Sequence, residues 1–272
     1  MDLHAHSTAS DGTDSPTDLV GQAAAAGLDV VALTDHDTDA GLAEAAAALP
    51  AGMTLVPGTE ISCALHIHLL AYLYDPAEPA LAAELRRLRH ARYNRGQRMV
   101  ARLQELGVPV QWDAVLALAG GAPVGRPHVA NALVNAGVAS YAEAFTDSWL
   151  GHGGPAYVGK VALDPAYVVG LVRAAGGVAV CAHPGGRKGV ADATLAAMAA
   201  AGLTGIEVSH PEHDAPTRRR LRGLASELGL LVTGGSDYHG SRKASRLGGE
   251  VTEPDQCAAL LAAATGARPV CR

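Results

Sequence analysis

His4 and His6 stand two residues apart in Asp2-Leu3-His4-Ala5-His6-Ser7, at the predicted end of a short first strand. In an extended segment residues i and i+2 point to the same face, so both imidazoles can reach one cation. Asp11 follows in the turn-like Ser10-Asp11-Gly12-Thr13. Thr34-Asp35-His36-Asp37 closes the next apolar run, and Glu60 comes after a predicted Pro57-Gly58 turn. His68 lies in another apolar run, His183 in Cys181-Ala182-His183-Pro184, and Asp237 and His239 in Gly235-Ser236-Asp237-Tyr238-His239. Imidazoles and carboxylates without thiolates suit Mn²⁺, Zn²⁺ or Fe²⁺. Such ions can supply a hydroxide at neutral pH and positive charge to polarise a substrate oxygen.

Taken singly, each residue has an ordinary role: a lone histidine is more often packed or solvent-facing, and an Asp before Gly is more often a turn residue. The elements that must position them give the set its weight. Short apolar runs at 28–34, 53–56, 67–72, 177–181, 205–208 and 230–233 read as buried strands. Helical stretches are predicted at 16–26, 40–49, 165–175, 191–201, 215–228 and 255–264. This alternation predicts an α/β fold with a mostly parallel sheet, open or closed into a barrel. In such folds the C-terminal ends of the strands share one rim where catalytic groups converge. Almost every predicted strand delivers a histidine or carboxylate there.

The stretch 76–159 breaks the rhythm. It reads as all-helical, with helices at 81–106, 113–119, 126–136 and 141–149 separated by Gly- and Pro-rich loops. We expect a helical insertion at 76–159 in an α/β domain formed by 1–75 and 160–272.

Composition narrows the class further. The net charge of −6 over 272 residues excludes a general polyanion binder. Four cysteines without a C-x-x-C pair suggest free thiols in a reducing cytoplasm. No run of about 18 apolar residues is present, so no membrane span is expected. The opening Met1-Asp2-Leu3-His4 already runs into the expected site, so no targeting peptide is expected. Heavy alanine use partly explains the helix assignments.

The set Asp2–Ser7, Thr34–Asp37, Gly58-Thr59-Glu60-Ile61-Ser62, His68-Leu69-Leu70-Ala71-Tyr72, Ala182-His183-Pro184 and Gly235–His239 resembles the polymerase-and-histidinol-phosphatase (PHP) family, in order and along essentially the whole chain. The resemblance implies a distorted seven-stranded (β/α) barrel and a centre of two to three divalent ions. It implies one ion on His4, His6, Glu60 and Asp237, a second on Glu60, His68 and His183, and a third on Asp11, His36 and His239. His66, two residues before His68, is a neighbouring alternative to it. The implied activity is metal-dependent phosphoester hydrolysis by a metal-bridging hydroxide, and the filled site is net positive, which favours a phosphate dianion.

Gly125-Arg126-Pro127-His128 and residues 150–158 resemble a subgroup that includes nucleoside 3′,5′-bisphosphate phosphatases and a 5′-end exoribonuclease. Arg126 can pair with phosphate in bidentate fashion and His128 can donate to it. Lys160 and Arg187 are weaker phosphate candidates. His210, in Glu207-Val208-Ser209-His210, and Asp37 compete as the acid that protonates the leaving group. The arginine run from Arg86 to Arg102 spreads over more than one helical face, and Tyr93 is the only aromatic nearby, so one nucleotide or a short oligonucleotide fits better than a long strand. Histidinol phosphate or another small phosphomonoester is the alternative substrate, and a non-catalytic metal-binding module the alternative class. No obligate protein partner is implied.

Overall fold

A computed structural model describes residues 1–186 and 189–272. Its strands are β1 (Val30–Leu33), β2 (Thr54–Ser62), β3 (His68–Tyr72), β4 (Val178–Cys181), β5 (Gly205–Ser209), β6 (Leu231–Gly234) and β7 (Val270–Cys271). Its helices are α1 (Pro16–Ala25), α2 (Leu42–Ala48), α3 (Pro79–Glu105), α4 (Trp112–Ala119), α5 (Arg126–Asn135), α6 (Tyr141–Ala144), α7 (Pro165–Ala174), α8 (Asp192–Ala201), α9 (Ala215–Leu228) and α10 (Pro254–Ala263). Local chemistry sets the helix starts. Ser15, Asp164 and Asp214 each accept a backbone N–H of the first turn, and α1 and α7 begin on a proline whose missing N–H has no partner to lose there. Left-handed Gly202 and Gly229 end α8 and α9.

The seven strands form one curled mixed sheet in the order β1-β2-β3-β4-β5-β6, with β7 added to β2. β1–β2, β4–β5 and β5–β6 are parallel, as the alternation predicts. β3 is the exception, antiparallel to both β2 and β4. The connection from β2 to β3 is only a one-turn hairpin (Ala64–His66), too short for the crossover that parallel neighbours need. The predicted Pro57-Gly58 turn is in fact strand. β2 pairs with β1 through Pro57 and switches to β3 from Gly58 onward. Gly58 belongs there because a Cβ would sit 3.0 Å from the Tyr72 ring and 3.1 Å from the Ala71 carbonyl oxygen.

The predicted first strand is reduced to isolated bridges, but these touch both edges of the sheet. Asp2 N donates to Val30 O and Thr34 N to Ala5 O on one side, while His6 N donates to Tyr238 O on the other. β1 is buried on both faces. Val31 and Leu33 pack with Leu19, Val20 and Leu55, and Val30 and Ala32 pack with Val56, Tyr72 and Val180. Full burial explains the continuous apolar runs in the sequence.

The chain divides into two compact units, Met1–Leu85 with Ala162–Arg272, and Arg86–Val161. The division falls inside α3, about ten residues later than the sequence suggests, because helical periodicity carries straight through it. The second unit has its own core of Met99, Leu103, Val115, Val129, Leu133 and Leu150. The helix predicted at 141–149 stops at Ala144, where the chain turns and Gly151 N donates to Thr146 O. All four cysteines are free. No described helix is long and apolar enough to cross a membrane.

Candidate metal centre

Glu60, in the second half of β2, is 1% exposed and gathers five histidines. Its Oε2 lies 3.1 Å from His6 Nε2, 3.1 Å from His36 Nδ1 and 3.4 Å from His4 Nε2. Its Oε1 lies 2.7 Å from His68 Nδ1 and 3.1 Å from His183 Nε2. His68 opens its strand, whereas His36, His183 and Asp237 follow the ends of theirs. Because β3 runs antiparallel, its first residue reaches the rim formed by the other strands' ends.

Asp237 faces the same cluster from the loop after β6. Its Oδ1 is 3.4 Å from each of His4 Nε2, His6 Nε2 and His239 Nδ1. Asp11 lies 3.3 Å from His239 Nε2 and 3.9 Å from His36 Nε2. Two groups with ion-sized geometry are His4, His6, Glu60 and Asp237, and His6, Asp11, His36 and His239. Two more are His36 with Glu60 and His68, and His4 with Glu207 and His210. All nine residues expected as ligands therefore meet in one place. His66 sits in the hairpin, with a left-handed backbone.

The donor atoms fit cations. His4 Nδ1 lies 3.1 Å from Glu207 Oε1, which fixes its proton there and leaves Nε2 bare toward the centre. That bare nitrogen faces His6 Nε2 at 3.1 Å, an arrangement a shared cation relieves. Without a cation, protons must fill the role. Burial opposes charge on His4, but Glu207, Asp237 and Glu60 outweigh it and hold the imidazole well above its ordinary range. His6 is pushed up to about 9, against its burial, by Asp237 and Glu60. The carboxylates respond in kind. Burial would raise Glu60, yet His36, His68 and His4 hold it well below the usual carboxylate range, and Asp11 is likewise held down by His36 and His239.

Backbone strain marks the same site. His183, Asp237 and Asp37 all have positive φ without being glycine (31°, 48° and 57°). Such conformations cost about 1–3 kcal/mol each and persist where surrounding bonds over-determine them. Glycine does enter where space demands it: a Cβ on Gly235 would stand 2.3 Å from His4 Cβ, so only glycine lets the loop after β6 lie against the histidine.

Four supporting residues escape the sequence reading. Asp2 accepts from the backbone N–H groups of His4, Ser236 and Gly248, tying the first segment to the loop after β6. Asp35 accepts from Ser7 N, Ser7 Oγ and Ser10 Oγ, fixing the chain after His6. Glu207 holds His183 N as well as His4. A lone acid in the apolar run of β5 was a readable signal for Glu207. Lys243, which pairs with Asp237 Oδ2, gave none.

The remaining candidates are placed as follows. His210 is 2% exposed; its Nδ1 accepts from Glu212 N, so the neutral ring carries its proton on Nε2, 3.4 Å from Asp237 Oδ2 and without a hydrogen-bond partner. Asp37 is fully buried and its Oδ1 accepts from Ser62 N at 2.7 Å. In the helical unit, Arg126 opens α5 with its guanidinium 5.7 Å above the Phe145 ring. His128 is buried, and its Nδ1 accepts from Gly125 N. Lys160 is half-buried in the irregular stretch before α7. Arg187 lies outside the described residues.

Helix-unit arginines crowd one another. Burial, then Arg126 and Arg92, bring Arg95 down to about 10. Burial also lowers Arg126, with Tyr157 pulling the other way and Arg92 adding to the effect. Neither Arg95 nor Arg126 forms an ion pair among the described residues, although Arg95 Nε donates to Val158 O at 2.8 Å.

A curled α/β sheet with histidines and carboxylates massed on one rim defines a metal-dependent phosphoesterase, a hydrolase of phosphoester bonds. The chain belongs to the PHP domain family, whose model matches residues 2–149. It is 36% identical to a 3′,5′-nucleoside bisphosphate phosphatase of Chromobacterium violaceum, over 90% of this chain and 89% of that one. It is 37% identical to a 5′-3′ exoribonuclease of Haemophilus influenzae, over 88% and 89% of the two chains. A crystal structure from Bifidobacterium adolescentis, described as a metal-dependent phosphoesterase, superposes with a TM-score of 0.91 at 39% identity, covering 97% of this chain and 96% of that one.

Proposed function

We infer that the protein hydrolyses phosphomonoesters of nucleotides: 3′,5′-bisphosphonucleosides, nucleoside monophosphates or short 5′-phosphorylated RNA. The observation that carries this reading is the convergence of five histidines on the two oxygens of Glu60, flanked by Asp11 and Asp237. We assign one ion to His4, His6, Glu60 and Asp237, a second to Glu60, His68 and His183, and a third to Asp11, His36 and His239. When bound, such ions supply a nucleophilic hydroxide at neutral pH and neutralise the phosphoryl oxygens. The protein's part is to hold their ligands rigid. Glu207 fixes the His4 tautomer, Asp35 the chain after His6, and Asp2 the loop that carries Asp237.

His210 is our choice for the leaving-group acid. Its Nε2–H is unpartnered and faces the centre, whereas Asp37 is occupied in holding Ser62 N. Residues 2–6, bonded to both sheet edges, read as the closure of a distorted barrel, and 86–161 as an insertion that contributes to substrate binding. Nucleotide preference rests on the helical unit. Arg126 and Arg95 are half-buried cations without an acidic partner, and two guanidinium groups held together call for an external anion such as a second phosphate. His128 and Lys160 are further phosphate contacts in this reading.

Phosphate release in the presence of Mn²⁺ tests it, across a 3′,5′-bisphosphonucleoside, a mononucleotide, a 5′-phosphorylated RNA trimer and histidinol phosphate. We expect the highest kcat/KM on a substrate carrying both a nucleoside and more than one phosphate. Preference for histidinol phosphate would overturn the nucleotide assignment while leaving the phosphoesterase class intact.

A further inference from the structure

Asp237 uses its two oxygens differently. Oδ1 faces the nitrogens of His4, His6 and His239, while Oδ2 faces two donors outside the ligand set, His210 Nε2 and the ammonium of Lys243. Lys243 follows a single 3-10 turn (Gly240–Arg242) that begins directly after His239, so its side chain folds back over the centre. It is held there by charge. Its ammonium pairs with Asp237 Oδ2.

A permanent cation beside a cation-binding centre works against metal loading, because like charges repel more strongly as water is excluded. The lysine is also not sealed in: its side chain is 44% exposed, against 10% for Asp237 and 2% for His210. It therefore stands between the ligand cluster and solvent. With divalent ions at the centre, Asp237 would share its charge with them and hold the ammonium less strongly. The ammonium then has its strongest available partner in an incoming anion, at the place it shares with the His210 N–H.

We propose that Lys243 binds the phosphate of the substrate, donating to a non-bridging phosphoryl oxygen from the Oδ2 side of Asp237 next to His210. This assignment rests on the phosphoesterase reading and adds a substrate contact to it. Lysine suits the position as a compact point charge with three donors on a flexible stem, able to turn from carboxylate to phosphate without leaving its loop.

The test uses the full-length Mn²⁺-loaded protein, with inorganic phosphate as the probe. Lys243→Met keeps the apolar stem and removes the charge; Lys243→Arg keeps the charge. Calorimetric titration with phosphate should show binding weakened about tenfold or more in K243M, as expected for loss of a charged hydrogen bond. Manganese content should equal that of the wild type, KM for a phosphomonoester should rise, and K243R should recover most of the phosphate affinity. Phosphate affinity within about twofold of wild type in a K243M protein that carries its full manganese overturns the assignment. So does a loss of manganese that alone accounts for the weaker binding, since Lys243 would then only prop Asp237. Failure of the phosphoesterase reading would show separately, as wild-type protein loaded with Mn²⁺ that neither binds phosphate nor releases it from any ester.

Discussion

Both units bury charge, and they balance it in opposite ways. In the first unit each carboxylate of the centre faces histidines, and each group moves its neighbour's proton affinity toward mutual ionisation: Glu60 and Asp11 go down, His4 and His6 go up. In the helical unit the half-buried charges share one sign: burial, then Arg126 and Arg92, lower Arg95, and burial, then Arg92, lower Arg126 against the pull of Tyr157. A balanced cluster holds together without a ligand and offers lone pairs to cations. An unbalanced one gains most from a ligand of opposite sign. The difference teaches that the two units of one chain pose opposite charge problems, each visible in how its ionisable groups perturb their neighbours.

The largest effect should come from breaking the balanced cluster at its centre. Glu60→Gln preserves size, but replaces one carboxylate oxygen with an NH₂ that faces imidazole nitrogens now 2.7–3.4 Å from Glu60. We expect turnover to fall on the order of a thousandfold or more, beyond the roughly 10–100-fold seen when an outer-shell partner is lost. Metal analysis should show at least one ion fewer per chain. Wild-type metal content with wild-type turnover would remove Glu60 from the centre and with it this half of the comparison.

Arg126→Ala addresses the other half. A guanidinium that binds substrate phosphate through charged hydrogen bonds contributes about 1.5–3 kcal/mol, so KM for a nucleotide should rise about 10- to 100-fold. Metal content should be unaffected, and kcat less affected than KM. An unchanged KM makes Arg126 a helix-end residue stacked on Phe145, and the helical unit loses its claim to the substrate.

The two regions were also legible to different degrees. The nine candidate ligands could be read because each is a donor type placed beside a buried strand, and burial makes the strands conspicuous as apolar runs. Strand direction could not be read. β3 is apolar in both directions, and the hairpin before it turns on Leu65 and His66, which adopt φ of 56° and 62° without any glycine to announce it. Pro57-Gly58 misled for a related reason: the pair marks a change of strand partner, and its glycine makes room for the Tyr72 ring. Support contacts were the least visible. Asp2 and Asp35 gain their roles only when segments distant in sequence meet, and Lys243 only through the turn at Gly240–Arg242 that folds it back onto Asp237. In the helical unit Arg126 stood out through its motif, while Arg95 was hidden among surface arginines until the helix set it against Arg126.

The smallest effect follows from the proton balance of the first unit and is measured in protons and pH. In the ion-free protein His6 is raised from 6.5 to about 9 by Asp237 and Glu60, so folding takes up a proton there. A group raised on folding contributes stability in full below its unfolded value, and that contribution fades as pH climbs through about 9. Glu60 is lowered from 4.5, so its contribution is complete above about 4.5 and is lost as pH falls through its folded value. The ion-free protein should therefore be most stable between about pH 4.5 and 6.5 and should melt at lower temperature by pH 9. Bound cations take the place of the His6 proton, so loading with Mn²⁺ at pH 7 must expel it. Calorimetry in buffers of different ionisation enthalpy should record release of about one proton or more per chain, and the loaded protein should lose less stability between pH 7 and 9 than the ion-free one. Metal uptake without proton release would mean that the imidazoles face the centre already neutral. The carboxylates would then lack counter-charge in the ion-free state, and the balanced cluster would exist only with its metals in place.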